Sequence, residues 1–352
     1  MNLRTFFTFL LFVLVASWTS AADLPKVVIL GTGGTIQSKG ANRMVRYDYK
    51  AGRYDISELV ALVPELNKIA TIEAIQFSNI GSPSMTPEIW KGLAEKINSM
   101  AAADPAIAGF VITHGTNTLE ETAFFLHLTV KTDKPVIVVG AQRPTTAISA
   151  DGPLNLYMAV QVAVTPGARG KGVMICMNQQ INSAREGTKT SSYKVETFMS
   201  RDMGFLGVVD PDQVVFYRAP IRRHTVNSEF DVSKIKTFPR VDMIDSYAAA
   251  PADLIDFVVS AGSKGIVLSG HGAGGSSPEQ AKAFKAAVQK GVPVAAATRT
   301  GSGRVIATEQ MDTDGVVAAD NLPPQKARIL LMLSVASGIT SPTDLKRIFE
   351  QY

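Results

Sequence analysis

The chain has few of the residues that build disulfides and metal centres. Its 352 residues include one cysteine, Cys176, so an intramolecular disulfide is impossible. Only four histidines are present, and they show none of the spacings of metal ligands: His114, His127, His224 and His271. We therefore expect neither a metal site nor a cofactor. We interpret His114 as a structural residue bonded to backbone.

Long hydrophobic runs are missing from the body of the chain and occur only at its start. Arg4 precedes an apolar stretch over residues 6–16, and the small residues Ser-Ala-Ala follow at positions 20–22. This order is typical of a cleaved secretory signal peptide. We predict a signal peptide over residues 1–22, a periplasmic or secreted location, and no membrane association after cleavage.

The positive charge of the chain is modest and gives little support for nucleic-acid binding. The net charge is +4, and the densest basic cluster consists of Arg218, Arg222, Arg223 and His224. Nucleic-acid surfaces often combine such clusters with aromatic side chains for base stacking, and none is interleaved here. We interpret the cluster as part of a solvated linker and expect no nucleic-acid partner.

Alternating strand-like and helix-like segments predict an α/β fold. Apolar runs that predict buried strands begin at Val27, Phe110, Val136 and Val173. Helix-like segments alternate with them over 56–70, 87–100 and 119–130. The second of these helices has Thr86 as its expected N-cap. We predict a larger N-terminal domain, residues 23–215, with a doubly wound, mainly parallel sheet that has helices on both faces.

A second, smaller α/β domain is predicted at the C-terminus. The periodicity fades and the charge rises over 216–239, which we interpret as a linker. Strand-like runs over 265–268 and 292–296 then alternate with helix-like segments over 252–261, 278–290 and from residues 325 and 341. We assign residues 240–352 to this C-terminal domain.

Three turns rich in hydroxyl groups follow strand-like runs. They are residues 31–35 (GTGGT), 114–118 (HGTNT) and 187–190 (GTKT). Ligands of open α/β sheets bind beyond the carboxyl ends of the strands, so we expect the three turns to share one pocket. The first turn is not a dinucleotide fingerprint, because Ile36 replaces its third glycine.

The second turn leads into a helix. Thr118 and Glu121 have the spacing of a capping box, which places Thr116 and Asn117 just before the helix N-terminus. Unpaired N–H groups and the helix dipole favour an anion at that position. We therefore expect the carboxylate of a small substrate to bind there.

Several segments of the chain carry a resemblance to one known family. They are residues 24–36 (LPKVVILGTGGTI), 78–82 (SNIGS), 112–116 (ITHGT) with 120–122 (EET), 140–144 (GAQRP) with 149–153 (SADGP), and 325–328 (QKAR). They resemble the bacterial secreted (type II) L-asparaginases over almost everything after residue 23. The resemblance implies hydrolysis of L-asparagine to L-aspartate and ammonia, with glutaminase side activity, by a homotetramer built from dimers.

The resemblance assigns the acyl chemistry to two threonines, a lysine and a tyrosine. Thr35 would attack the side-chain amide carbon and form a β-aspartyl ester, whereas a turn hydroxyl bonded to its own backbone is the alternative. Lys189 matches the family's catalytic lysine and would share a proton with Thr116. Tyr49 matches the tyrosine of the active-site flap by its distance to Gly52, and Tyr47 remains a second candidate.

The resemblance also indicates how the substrate binds. Ser82 matches the serine that receives the α-carboxylate, and Gly34 of the TGGTI signature is expected to line the substrate site. A neighbouring subunit normally contributes an acid to the amino-group site, and Glu309 is the candidate here.

Three positions depart from the family pattern. Asn117 stands in place of an aspartate whose charge holds the substrate's ammonium. Pro83 replaces a glutamine or glutamate and removes a backbone donor. Ala273 stands where some members have a substrate-side asparagine.

These departures leave two further functions open beside the asparaginase. With Asn117 in the site, the protein would be a catalytically weak periplasmic member that binds an amino acid or a dicarboxylate. The segment His271-Gly-Ala-Gly-Gly275 would suit an esterase-like oxyanion loop, but the G-x-S-x-G elbow that such enzymes need is absent from the chain.

Overall fold

The computed structural model describes residues 23–50 and 52–352. The predicted signal peptide, residues 1–22, lies outside the described residues. Within them, no helix has the length and apolar character to cross a membrane.

An eight-stranded mixed sheet forms the centre of the large N-terminal domain. The strands of this domain are β1 (Lys26–Gly33), β2 (Thr71–Ile80), β3 (Ile107–Thr113), β4 (Val136–Val139), β5 (Val173–Met177), β6 (Gln180–Ser183), β7 (Thr188–Lys189), β8 (Phe198–Met199), β9 (Gly207–Val209) and β10 (Val214–Phe216). The sheet order is β10-β9-β6-β5-β4-β3-β1-β2, and β7 and β8 form a separate ribbon. Strands β2, β1, β3, β4 and β5 are parallel, and β6, β9 and β10 continue the sheet antiparallel.

The predicted strands are confirmed because they are the interior of this sheet. Residues 27–30 of β1 and 110–112 of β3 are buried on both faces, which favours a continuous apolar sequence. Strand β2 was not predicted. It lies at the sheet edge and is only half buried, so its sequence mixes polar and apolar residues without a clear signal.

Among the described residues, this domain has four α-helices: α1 (Ile56–Ala61), α2 (Pro87–Ala103), α3 (Leu119–Thr129) and α4 (Gly152–Val164). The Thr86 side chain accepts a hydrogen bond from the N–H of Ile89 and caps α2 as expected. The helix predicted over 56–70 is shorter in the structure. It ends at Ala61, and Pro64 starts a separate 3₁₀ segment because proline disfavours helical geometry in the residue before it.

The capping box predicted at Thr118 is wrong. Helix α3 begins at Leu119, but the Thr118 side chain makes no capping bond. Its hydroxyl instead donates to the carbonyl oxygen of Ser82 at 2.7 Å. The hydroxyl therefore joins two loops of the fold.

The smaller C-terminal domain has an all-parallel sheet of four strands in the order β11-β12-β13-β14. The strands are β11 (Val241–Asp245), β12 (Gly265–Gly270), β13 (Val294–Thr298) and β14 (Val316–Ala318). The helices are α5 (Asp253–Ser260), α6 (Pro278–Gln289), α7 (Glu309–Asp314), α8 (Pro324–Ala336) and α9 (Pro342–Gln351). Helix α8 is buried and contacts both α3 and the second sheet, so it connects the two domains.

The basic cluster is more ordered than a solvated linker. Arg222 forms an ion pair with Asp320 at 2.8 Å, and Arg223 lies 3.6 Å from Glu229. His224 is buried. The cluster is therefore largely neutralised by acids within the chain.

Candidate active site

A cavity of about 320 Å³ lies where the hydroxyl-rich turns meet. Seven of the eight predicted site residues line it: Gly34, Thr35, Tyr49, Ser82, Thr116, Asn117 and Lys189. The eighth, Glu309, does not line this cavity and is the exposed first residue of α7. The sheet thus brings together residues that are up to about 150 positions apart in the chain, at the edge where ligands of such sheets bind.

The first two turns touch through their backbones at Gly34. Its φ of 80° lies in the left-handed region, and a Cβ there would be 2.3 Å from the Cα of Gly115. Only glycine permits this approach. The contact holds Thr35 against the turn that carries Thr116.

Gln37 braces the first turn and was not identified from the sequence. Its Oε1 accepts from the N–H of Gly33 at 2.8 Å and from the hydroxyl of Thr113 at 2.9 Å. Its Nε2 donates to the carbonyl oxygen of Tyr54 at 3.0 Å. A buried amide with all these bonds fixes the ends of β1 and β3 relative to each other.

Thr35 and Tyr49 are in direct contact. The Thr35 Oγ1 lies 2.9 Å from the Tyr49 hydroxyl oxygen. Tyr47 also lines the cavity, but it is 78% exposed and makes no hydrogen bond to Thr35. Of the two tyrosines that the sequence left open, Tyr49 is the one placed against the hydroxyl.

Thr116 and Lys189 form the second polar pair of the cavity. The Lys189 Nζ donates to the Thr116 Oγ1 at 2.7 Å and to the Asn117 Oδ1 at 3.3 Å. Burial lowers the pKa of Lys189, and the negative charge of Glu120 opposes part of this decrease. A lysine whose pKa is lowered can exchange a proton with a neighbouring hydroxyl more readily than an exposed lysine.

A second lysine, Lys326 of α8, supports the turn before Lys189. Its Nζ is fully buried and donates to the carbonyl oxygens of Arg185 at 3.0 Å and Gly187 at 2.7 Å. The Glu120 carboxylate lies 4.0 Å away. Burial lowers the pKa of Lys326 to about 8, against the opposing charge of Glu120. Lys326 belongs to the QKAR segment that contributes to the family resemblance, but the sequence alone assigned it no role at the site.

His114 connects the second turn to the helices behind it. Its Nδ1 donates to the carbonyl oxygen of Gly115 at 2.7 Å, and its Nε2 accepts from the hydroxyl of Thr122 at 2.8 Å. The Trp90 indole N–H donates to the same hydroxyl at 2.7 Å. Complete burial lowers the pKa of His114 to about 4, so the ring is neutral near pH 7. The predicted backbone bond of His114 is confirmed.

Ser82 and Pro83 form one wall of the cavity. Ser82 is buried, and its Oγ would lie 2.9 Å from a Cβ placed on Gly115. Pro83 has no N–H, so it offers the cavity neither a polar side chain nor a backbone donor.

The arrangement suits nucleophilic catalysis by a hydroxyl group. A threonine hydroxyl is a weak nucleophile at neutral pH and needs a nearby group to take its proton. The cavity holds two threonine hydroxyls, and each lies beside a group that can exchange a proton. Among residues 23–50 and 52–352, no cluster of three or more His, Cys, Asp or Glu side chains could hold a metal ion.

Comparison with known families decides what kind of protein has this cavity. Residues 26–222 match the asparaginase N-terminal domain, and residues 240–349 match the glutaminase/asparaginase C-terminal domain. The chain belongs to the asparaginase family.

Individual relatives span almost the whole of this asparaginase. The L-asparaginase 2 of Bacillus subtilis is 44% identical over 96% of this chain and 89% of its own length. A probable periplasmic L-asparaginase of Haemophilus influenzae is 42% identical over 97% of both chains. The crystal structure of a probable cytoplasmic L-asparaginase from Campylobacter jejuni has a TM-score of 0.90 at 43% identity, and the match covers 93% of this chain and 99% of that one.

Two of the positions that depart from the family pattern lie at the cavity of this asparaginase. Asn117 and Pro83 line it, whereas Ala273 lines a separate, largely apolar cavity of the C-terminal domain. Glu309 belongs to the same C-terminal domain. Its contribution to the site of a neighbouring subunit remains a prediction.

Proposed function

We propose that the protein hydrolyses the side-chain amide of L-asparagine to L-aspartate and ammonia, with glutamine as a weaker substrate. The observation that carries the proposal is the pairing of Thr35 with Tyr49 and of Thr116 with Lys189 around one cavity in a member of the asparaginase family. Relatives at 40–44% identity bear the name L-asparaginase.

The proposed reaction proceeds through an ester on Thr35. Its oxygen attacks the amide carbon, its proton leaves through the hydrogen-bonded neighbours, and the C–N bond breaks as ammonia departs with an added proton. Water then attacks the ester carbon, releases aspartate and restores the hydroxyl. Tyr49 contacts the attacking oxygen directly. The Lys189 amine and the Thr116 hydroxyl relay protons at the other end of the cavity.

The proposed substrate contacts follow from the positions of the remaining residues. Ser82 receives the α-carboxylate beside the N-terminus of α3, Gly34 allows close approach of the substrate, and Asn117 lies near the α-amino group. Glu309 of a neighbouring subunit in a homotetramer completes the amino-group site. Light scattering of the purified protein measures the assembly, and a monomer with full activity would contradict this part.

A second function is favoured by one specific observation. The side chain of Asn117 is a neutral amide, and its Oδ1 lies 3.3 Å from the Lys189 Nζ. At this contact, therefore, no negative charge helps to position the amine. On this alternative, the protein binds an amino acid or a dicarboxylate and hardly turns it over.

Ammonia release separates the two functions. Purified protein is incubated with L-asparagine, L-glutamine and their D-forms, and Thr35→Ala serves as the background control. The asparaginase proposal expects release from L-asparagine above that of Thr35→Ala. Saturable binding with release at the level of the Thr35→Ala variant would favour the binding protein.

We also propose that the mature protein begins near Asp23 and is periplasmic or secreted. A relative from Haemophilus influenzae is named a probable periplasmic L-asparaginase, whereas a structural neighbour from Campylobacter jejuni is named a probable cytoplasmic one. Mass spectrometry of the protein from periplasm and cytosol tests this location. A full-length N-terminus in the cytosol would overturn it.

A further inference from the structure

Two buried histidines pack against each other outside the candidate active site. His127 belongs to α3, and His224 belongs to the linker over residues 216–239. Their ring centroids are 4.8 Å apart, with 38° between the ring planes. His127 is 1% exposed and His224 is 7% exposed. The ring pair is therefore a direct contact between the linker and the N-terminal domain.

The hydrogen bond of His127 requires a neutral ring. Its Nδ1 lies 3.1 Å from the backbone nitrogen of Val173, the first residue of β5, and accepts that N–H. The single proton of the neutral ring is therefore on Nε2. A protonated ring carries a hydrogen on both nitrogens, so its Nδ1 would face another donor. His127 thus cannot become charged and keep its bond to β5.

The backbone encloses both rings on the side of Gly172. The φ of Gly172 is 72°, and a Cβ there would lie 2.5 Å from the His127 Cε1 and 3.0 Å from the His224 Nδ1. Only glycine combines this conformation with such a close approach. The His224 Nδ1 also lies 2.9 Å from the Oγ1 of Thr225. The two rings are thus held together by the surrounding chain.

The charges around His127 disfavour a further positive charge. Burial is the largest cause of its lowered pKa, and the positive charges of His224, Arg185 and Lys326 lower the pKa further. Strand β5 adds no charge, because burial raises the pKa of its Cys176 to about 12.

The nearby acids are placed elsewhere. Those of α3, Glu120 and Glu121, are at the other end of the helix, about two turns from His127. Glu120 lies 4.0 Å from Lys326. In the described part of the chain, neither histidine ring forms an ion pair with a carboxylate.

The linker around His224 is also rich in cations. Burial lowers the pKa of His224 itself. Lys131, two residues after α3, donates to two carbonyl oxygens of the linker at 2.6 and 3.4 Å. Arg222 and Arg223 directly precede His224. Their acid partners, at 2.8 and 3.6 Å, are Asp320 and Glu229.

We propose that His127 and His224 form an acid-sensitive lock, which holds the linker between the two domains against α3 and β5 and opens when either ring takes up a proton from solvent. Opening separates the rings, breaks the bond to Val173 and frees the linker around His224. The proposal concerns the fold and does not depend on the hydrolytic function.

The direction of the pH effect follows from the neutral state of the closed lock. A released histidine takes up a proton near pH 6.5, whereas the pKa values of the packed rings are lower. The lock is therefore fully closed above about pH 6.5 and weakens as the pH falls below it. Each histidine raises the equilibrium constant for opening by up to about tenfold per pH unit.

Hydrogen exchange of the purified mature protein, followed by mass spectrometry, measures the opening. The experiment compares pH 7 with pH 5 after correction for the intrinsic pH dependence of exchange. We expect peptides over residues 216–239 to lose protection by about tenfold or more at pH 5. Peptides of α6 in the C-terminal domain should change by less than about threefold. Unchanged protection of the linker, or an equal loss in both regions, would overturn the proposal.

Two variants connect the loss of protection to the ring pair. His127→Asn retains an amide oxygen as an acceptor for the Val173 N–H and cannot titrate, and His224→Asn removes the second titrating ring. In the double variant, the difference in linker protection between pH 7 and pH 5 should shrink to less than about threefold. A double variant as sensitive to acid as the parent would contradict the lock.

A matched control and a milder variant complete the test. His271→Asn removes an exposed histidine of the C-terminal domain and should keep the full difference of the parent. His224→Asn alone should remove about half of the logarithmic difference, and it decides the outcome if the double variant does not fold. An equal effect of His271→Asn and His224→Asn would show that the contact between the rings is not the cause.

Discussion

The two polar pairs of the cavity are supported in different ways. Thr116 is buried, and Lys189 follows a turn that Lys326 holds from the C-terminal domain. Thr35 is partly buried, and its partner Tyr49 belongs to a largely exposed loop over residues 39–50. Lys39 and Lys50 are bridged at the base of this loop. One pair is thus positioned by buried contacts across the two domains, and the other depends on a surface segment.

This difference has a consequence for catalysis. Groups fixed by packing and by buried hydrogen bonds are preorganised. A group on an exposed loop leaves its position at a lower free-energy cost, because few buried contacts hold the loop in place. We therefore expect changes in the buried support of Lys189 to affect both folding and rate. Changes on the Tyr49 loop should affect the rate alone.

Replacing the proposed nucleophile, Thr35, should have the largest effect. Thr35→Ala removes the hydroxyl that we propose forms the ester, and we expect kcat to fall by about a thousandfold or more. Ammonia release measures it, and Thr35→Ser is the matched control that keeps a hydroxyl. Thermal unfolding of Thr35→Ala should be close to that of the parent. Activity within about threefold of the parent would contradict the assignment.

Thr116→Val should reduce the rate nearly as strongly, by about a hundredfold or more, because Lys189 loses its hydroxyl partner. The dependence of kcat on pH tests which protonation state of Lys189 is the active one. Only a neutral amine accepts a proton, so the parent's kcat should rise as the pH increases through the lowered pKa of Lys189. Thr116→Val should lose this rise. If it keeps both rate and profile, the proton relay must be assigned elsewhere.

Lys326→Met should sharpen the comparison between the two pairs. It leaves the carbonyl oxygens of Arg185 and Gly187 and the Glu120 carboxylate without their buried partner, which costs about 3–5 kcal/mol of stability. Displacement of the Lys189 turn by about 1 Å should lower kcat by about a hundredfold. Chemical denaturation and steady-state kinetics measure the two effects.

Lys285→Met is the control for that variant. Lys285 pairs with Asp314 at 2.8 Å, but the lysine is 43% exposed. Water screens such pairs, so the change should cost at most about 1 kcal/mol and leave kcat unaltered. Equal losses of stability and of kcat in Lys326→Met and Lys285→Met would contradict the expectation that Lys326 supports the Lys189 turn.

Of the changes at the cavity and its support, Asn117→Asp should have the smallest effect. A charge-assisted hydrogen bond exceeds a neutral one by about 1–2 kcal/mol, so KM for L-asparagine should fall by about five- to thirtyfold with a smaller change in kcat. Steady-state kinetics of both forms test this. A change confined to kcat would instead mean that the carboxylate acts on Lys189, and would favour the weakly catalytic alternative.

Much of the fold could be predicted because its signals are local. The continuous apolar runs of β1, β3, β4 and β5 and the cap at Thr86 depend on a few adjacent residues. Edge strand β2 was missed, because a half-buried strand has no clear apolar pattern in its sequence. The end of α1 was placed too late, because the helix stops before the 3₁₀ segment that Pro64 begins. The hydroxyl of Thr118 fits a capping box in sequence, but it bonds the distant carbonyl of Ser82 instead.

The sequence by itself determined the family, the positions of the strands that end at the site, and most of the residues around the cavity, because motifs and apolar patterns are short-range properties. Only the tertiary structure decided what supports those residues. The brace of Gln37 and the contact of Lys326 with the Lys189 turn arise from packing between segments far apart in the chain. Burial and charge at such contacts depend on three-dimensional neighbours, and no spacing in one sequence contains that information.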